Sequence, residues 1–169
     1  MRKQNKGLDM FTIKWNGDYC NYSVKFEDGW ERLNSCNAAT YKHSNWSNQN
    51  ALNRVIKTET FYLVSYASPI MYVKRSYYMD NGEIINTSIY VNEIQWNCSH
   101  TTIQHISRFC RNLDFFHGIA VSYHDIKQAM QSKNIHFGLN GAITEHMQVI
   151  GKTPHELKTV FENECPKFW

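Results

Sequence analysis

An α+β fold is what this sequence predicts: a mainly antiparallel sheet of about five to six strands, two hairpins plus a late strand, packed with three to four short helices. Three observations carry the prediction. Apolar and polar residues alternate with a period of two in the runs around Asn16-Gly17-Asp18 and Asp80-Asn81-Gly82, triplets that tolerate the positive φ of tight turns. Beyond Cys98 the apolar spacing changes to three and four, the period of a helix buried on one side. Ser99, Ser122 and Thr153 each open a segment with the composition of a helix N-cap.

Taken in order, residues 1–9 read as a flexible basic extension, with Met10 an alternative to Met1 as the start, and residues 10–169 as one α+β domain. Phe11, Ile13 and Trp15, then Cys20, Tyr22, Val24 and Phe26, alternate on the two arms of the first hairpin. Residues 31–50 are poor in aliphatics and rich in Asn, Ser and Lys, and read as a long polar loop that carries Tyr41 and Trp46. Ser47 could cap a short helix with Ala51, Leu52, Val55 and Ile56 on one stripe. Phe61–Tyr66 and Ile70–Tyr78, on either side of Ser68-Pro69, are rich in β-branched and aromatic residues. Glu83–Trp96 returns as a further strand after the second turn. Both faces of these strands carry apolar side chains, which implies a sheet covered on two sides.

Ser99-His100-Thr101-Thr102 opens a helix with Ile103, Ile106, Cys110 and Leu113 as its apolar side, and Ser122-Tyr123-His124-Asp125 has the form of a capping box for a second helix through about Met130. A strand is expected within Ala142–Ile150. Thr153-Pro154-His155-Glu156 starts the last helix, with Leu157, Val160 and Phe161 inward and Pro166 beyond its end.

The 169 residues include five Trp, ten Tyr and nine Phe, an aromatic share that stands out against only three Pro. No apolar run nears the roughly 20 residues that span a bilayer. No apolar stretch follows the basic start, so a cytoplasmic location is expected. A formal charge of +3 with Lys74-Arg75 as the longest basic pair inside the domain is a weak nucleic-acid signal. Cys20, Cys36, Cys98, Cys110 and Cys165 are odd in number and widely spaced, as free thiols in a reducing compartment would be.

One segment is more specific. Trp96-Asn97-Cys98-Ser99-His100-Thr101-Thr102-Ile103-Gln104-His105-Ile106-Ser107-Arg108-Phe109 contains the pattern S-x-T-T-x-x-H-I-x-x-F, and upstream Ser65-Tyr66-Ala67-Ser68-Pro69-Ile70 reads S-Y-x-x-P-I. The two in this order resemble a group of small uncharacterised proteins from phages and prophages of low-GC Gram-positive bacteria. The resemblance covers about a third of the chain, residues 61–113. It implies a phage-type origin and a sheet-plus-helix core; it carries no reaction with it.

On the helix, Thr101, His105, Arg108 and Asn112 fall on one stripe opposite the apolar side. With Thr102 and the helix amides they could attract an anion. The competing reading is a capped helix whose His105 hydrogen-bonds to a neighbouring strand. A zinc site of Cys98, His100, His105 and Cys110 is not supported, because positions five apart diverge by roughly 140° around a helix. No glycine-rich phosphate loop, nucleophile elbow or paired H-x-x-x-H is present, so no cofactor or metal is expected.

These features lead to the expectation of a phage-type accessory protein that works by protein contact. It would inhibit a host protein of a bacterial defence system such as a CRISPR effector nuclease, in the host cytoplasm, with Trp30, Tyr41 and Trp46 in the contact surface. Two alternatives stand beside it. One is a nucleic-acid-binding regulator that uses the strand of Tyr72, Lys74, Arg75, Tyr77 and Tyr78 with the helix bearing Thr101, Thr102, His105 and Arg108. The other is a small hydrolase or transferase built around His105, which would require an open cleft there.

Overall fold

The computed structural model describes residues 26–33, 37–48, 52–93, 99–132 and 147–166. Apart from Phe26, the first hairpin's strands lie outside the described residues, as do the extension with Met10, Cys20, Cys36, Cys98, the 94–96 end of the expected Glu83–Trp96 strand and the start of the expected 142–150 strand; Phe26 itself is buried in the core at a positive φ of 57° and belongs to no strand. Six strands form one sheet in the order β1 (Gly29–Arg32), β2 (Ala38–Ser47), β3 (Ile56–Ser65), β4 (Ser68–Tyr78), β5 (Ile84–Asn92) and β6 (Met147–Lys152). The first five make an antiparallel meander, and β6 joins β5 in parallel. A parallel neighbour needs a crossover of a dozen or more residues. The crossover here holds two helices, α1 (His100–His117) and α2 (Tyr123–Ser132), and α3 (Pro154–Glu164) follows β6.

The pleat sorts the side chains. One face of the sheet carries Phe61, Leu63, Met71, Val73, Ile89, Val91, Met147 and Val149, which share a core with Ile106, Phe109, Cys110 and Leu113 of α1 and with Ile126 and Ala129 of α2. The opposite face carries a row of aromatics in direct cross-strand register, Trp30–Tyr41–Tyr62–Tyr72–Tyr90. Adjacent ring centroids along it lie 5.1, 5.7, 5.7 and 4.4 Å apart. Onto this row α3 lays Leu157, Val160 and Phe161, with Cys165 just past its end. The Phe161 ring meets Tyr62 edge-on at 5.3 Å. Both faces are therefore covered, as the strand composition implied.

The helix ends follow their sequence signals. Ser99 Oγ accepts from the Thr102 amide, and Gly118, at φ 65°, closes α1 by donating to Asp114 and Leu113 carbonyls. Ser122 and Asp125 exchange side-chain and amide hydrogen bonds at 3.1 Å each. Thr153 and Glu156 complete a capping box with Pro154 at the first helical position. Where α2 crosses β6, a Cβ on Gly151 would lie only 3.0 Å from the Met130 methyl, so glycine permits the approach.

Two expectations are overturned. Residues 31–50 are not a long loop: Trp30 lies in β1, and Tyr41 and Trp46 in β2. The polar strand is tolerated because its inward polar groups find partners across the sheet. Lys42 Nζ lies 3.1 Å from Glu59 and 3.3 Å from Asp28, and Ser44 donates to Asp28. Burial pushes the Glu59 carboxyl up, but Lys42, His117 and Arg75 together outweigh it and hold that carboxyl below its ordinary range. Nor do residues 52–55 form the expected helix, since Ile56 already opens β3 opposite Ser47.

The aromatic row makes α3 integral to stability. Phe161→Ala is expected to cost about 3–5 kcal/mol in urea unfolding, whereas Trp46→Ala, at a side chain 57% exposed, should cost under about 0.5 kcal/mol.

Candidate functional site

The two resembling motifs meet in space at the end of the sheet where β3 turns into β4. Ser65, the last residue of β3, lies on the face towards α1 and is 2% exposed. Its Oγ is 2.8 Å from His105 Nδ1 and 3.3 Å from Thr102 Oγ1. Ser99 Oγ donates to Thr102 Oγ1 at 3.2 Å, and the Tyr66 ring tilts against the His105 imidazole at 5.6 Å between centroids. The S-Y pair and the S-x-T-T-x-x-H run are thus one hydrogen-bonded cluster. The reading in which His105 bonds to a neighbouring strand matches this geometry.

This placement corrects the helix stripe. Thr102, His105, Ile106, Phe109, Cys110 and Leu113 form the buried side of α1, while Thr101, Arg108 and Asn112 are half-buried and Ile103 is only partly covered. The step from 102 to 105 and 106, then 109 and 110, then 113, follows the helical period and carries His105 onto the sheet. Burial, with Arg108 adding to it, lowers the His105 pKa to about 4, so the ring is neutral at pH 7.

A serine oxygen 2.8 Å from an imidazole is the spacing of a nucleophile and its base. Yet Ser65 is 2% and His105 1% exposed, with the Tyr66 ring laid against the imidazole, so neither group stands in an open cleft. Cys110 and Cys165 are buried thiols, Cys110 pushed up to about 12 by burial, and neither is poised as a thiolate. Among the described residues no group of three or more His, Cys, Asp or Glu converges to hold a metal.

The basic aromatic strand is β4, central in the sheet. Tyr72 is buried in the aromatic row, and Lys74 and Arg75 point to opposite faces. Arg75 lies 3.4 Å from Glu59 and donates to the His117 carbonyl, closing the end of α1. Its charge is used internally, and the strand does not present an aligned row of rings and cations.

The opposite end of the sheet differs in character. Trp46 of β2, Val55 just before β3, Met79 just after β4 and Ile84 at the start of β5 are all exposed and lie at the ends of four adjacent strands, with exposed Leu52 near Val55 in sequence. Three strand spacings make this margin about 15 Å long. It is held rigidly. The Met79 amide donates to Val55 O at 3.0 Å, and Arg54 grips Asp80 with two hydrogen bonds, 2.7 and 2.5 Å, while its guanidinium stacks 3.7 Å from the Tyr78 ring centroid. Lys57 Nζ lies 5.2 Å from the centroid of the Trp46 ring. Trp46 was expected in a contact surface from sequence; Leu52, Val55, Met79 and Ile84 were not. Their only signal is an apolar side chain directly beside a turn, as Met79 stands before Asp80-Asn81-Gly82. Trp30 and Tyr41 are only half-exposed, and Trp30 Nε1 donates to Pro166 O at 2.9 Å.

The neutral His105 gives a pH signature. Its folded pKa of about 4 lies below the unfolded value of roughly 6.5. The unfolded chain therefore binds the extra proton first, and stability falls as pH drops from 6.5 to 4, by about 3 kcal/mol in total. Urea unfolding at pH 7 and at pH 4.5 should show a markedly smaller loss for His105→Gln than for the wild type.

No known family, curated protein or solved structure matches the chain.

Proposed function

We propose that this protein acts by binding another protein through the apolar margin formed by Trp46, Val55, Met79 and Ile84, as a phage-type accessory that restrains a bacterial defence system such as a CRISPR effector nuclease. The observation that carries the binding reading is the margin itself. Exposed apolar side chains gathered at one end of a sheet are the kind of patch that marks interaction surfaces, whereas singly scattered ones are ordinary. Trp is the side chain most often found as an energetic anchor. The Arg54–Asp80 clamp fixes the margin before a partner arrives, which lowers the entropic cost of association.

A protein fits this surface better than nucleic acid does. Arg54 is already neutralised by Asp80, and Arg75 lies inside the fold against Glu59. Beside the margin Lys57 lies against the Trp46 ring and Arg54 against Asp80, too small a set of cations to track a phosphate backbone. Catalysis is disfavoured by the burial of Ser65 and His105. The phage origin, the host cytoplasm and the defence target rest on the resemblance of the S-Y-x-x-P-I and S-x-T-T-x-x-H-I-x-x-F motifs.

The triple variant Trp46→Ser, Val55→Ser, Met79→Ser should melt within about 2 °C of the wild type, since exposed positions contribute little to stability. Tagged wild-type protein should capture a specific host protein from the lysate of a low-GC Gram-positive bacterium, and titration of that purified protein should show at least tenfold weaker binding to the triple variant. Equal binding by the two would overturn the reading.

A further inference from the structure

The second half of α1 and residues 120–125, which lead into and open α2, do not close on each other. Between them lies an open cleft of about 510 Å³, lined throughout by described residues. That size is within the range of small-molecule sites. It equals the liquid volume of roughly 17 water molecules, room for a ligand of about a dozen non-hydrogen atoms. The floor is apolar: Cys110 is 1% and Val121 6% exposed. Burial keeps the Cys110 thiol protonated, so the floor carries no charge at pH 7. The half-buried Tyr123 adds an aromatic wall, and the exposed His124 stands at the rim.

The cleft also holds charges that the fold does not use. Arg111 and Asp114 are exposed, one turn apart on α1, and neither makes an ion pair with the other or with any other described residue. A cation placed before an acid is the weaker order for such a pair along a helix. Asp125 goes further, because it is only 8% exposed. Its Oδ2 accepts from the Ser122 amide at 3.1 Å. Its Oδ1 has no hydrogen-bond partner among the described residues and is not fully enclosed. Because Asp125 lines the cleft, the open side of this oxygen is the cleft. A largely buried carboxylate oxygen gains most from a charged donor.

We infer that the cleft binds a free α-amino acid with an apolar side chain. Its ammonium group meets the carboxylates of Asp125 and Asp114, its carboxylate meets the Arg111 guanidinium, and its side chain lies on Cys110 and Val121 against Tyr123. Residues three apart on a helix have Cβ atoms about 5–6 Å from each other, so a ligand with both charges on one carbon can reach Arg111 and Asp114 together. A purely anionic ligand would meet two carboxylates, and a purely cationic one would leave Arg111 unpaired. This site is built on α1 and α2, and the inference does not rest on the apolar margin.

The test is an NMR titration of the nitrogen-15-labelled full chain with L-phenylalanine. Saturable shifts should centre on the amides of Arg111, Asp114, Tyr123 and Asp125, with a Kd below about 1 mM. Phenethylamine, which lacks the carboxylate, and 3-phenylpropanoate, which lacks the ammonium group, should each bind at least tenfold more weakly. Arg111→Gln should bring L-phenylalanine down to the affinity of phenethylamine and leave phenethylamine itself unchanged. Asp114→Asn, at an exposed position, should weaken L-phenylalanine several-fold and leave 3-phenylpropanoate no weaker. Asp125→Asn keeps an acceptor oxygen for the Ser122 amide and should act in the same direction; if its melting temperature falls by more than about 5 °C, Asp114→Asn alone decides the carboxylate half. No saturable shift up to about 10 mM, shifts centred elsewhere on the chain, equal binding of the three ligands, or unaltered L-phenylalanine binding by Arg111→Gln would each overturn the inference.

Discussion

A single row of aromatic side chains constrains the rest of this fold. Trp30, Tyr41, Tyr62, Tyr72 and Tyr90 stand directly opposite one another on five successive strands. Because side chains alternate between faces with a period of two, sliding any one strand by a residue would carry its ring to the wrong side of the sheet. The row thus fixes register across the whole meander. It also provides the surface on which α3 packs, leaving the aliphatic face for α1 and α2. Tyr62 reinforces the arrangement by donating its phenolic proton to Glu164 near the end of α3 while sharing a 2.8 Å hydrogen bond with His43. Burial first, and Glu164 second, push the Tyr62 phenol far above its ordinary range, so it stays protonated.

Much of this was legible in the sequence. The three helix starts follow from caps, a local chemistry that depends on neighbours three residues apart. The β4–β5 hairpin follows from Asp80-Asn81-Gly82, with Gly82 at φ 74°. What escaped was β2. Its residues looked too polar for a strand because the partners that make Lys42 and Ser44 tolerable, Glu59 and Asp28, are distant in sequence. Ile56 read as the end of a helical stripe for a related reason. The residues from 56 to 65 are one continuous strand, and only the pairing with Ser47 and Tyr78 shows where it begins.

The candidate sites divide along the same line. His105 read as part of a polar stripe because a polar residue on a helix is assumed to face water; its partner Ser65, forty positions earlier, is what allows it to face inward. The two motifs therefore report a structural joint between the end of β3 and the start of α1, with the exposed Tyr66 ring as its outer surface. The apolar margin left no motif at all. Its members come from four strands, and only the sheet order brings Trp46, Val55, Met79 and Ile84 together. Among the described residues the aromatics divide in two: the cross-strand row and the core hold one set, and others, Trp46, Tyr66 and Phe115 among them, remain exposed.

The central claim is that the sheet-end margin is a protein-binding surface. It is tested most directly by residue-resolved oxidative footprinting of the wild-type protein, alone and with its captured host protein. Trp46 and Met79 should lose reactivity several-fold in the complex, while Phe115, 79% exposed on α1 and outside the margin, keeps its own. Unchanged reactivity of Trp46 and Met79 in the presence of a bound partner would contradict it.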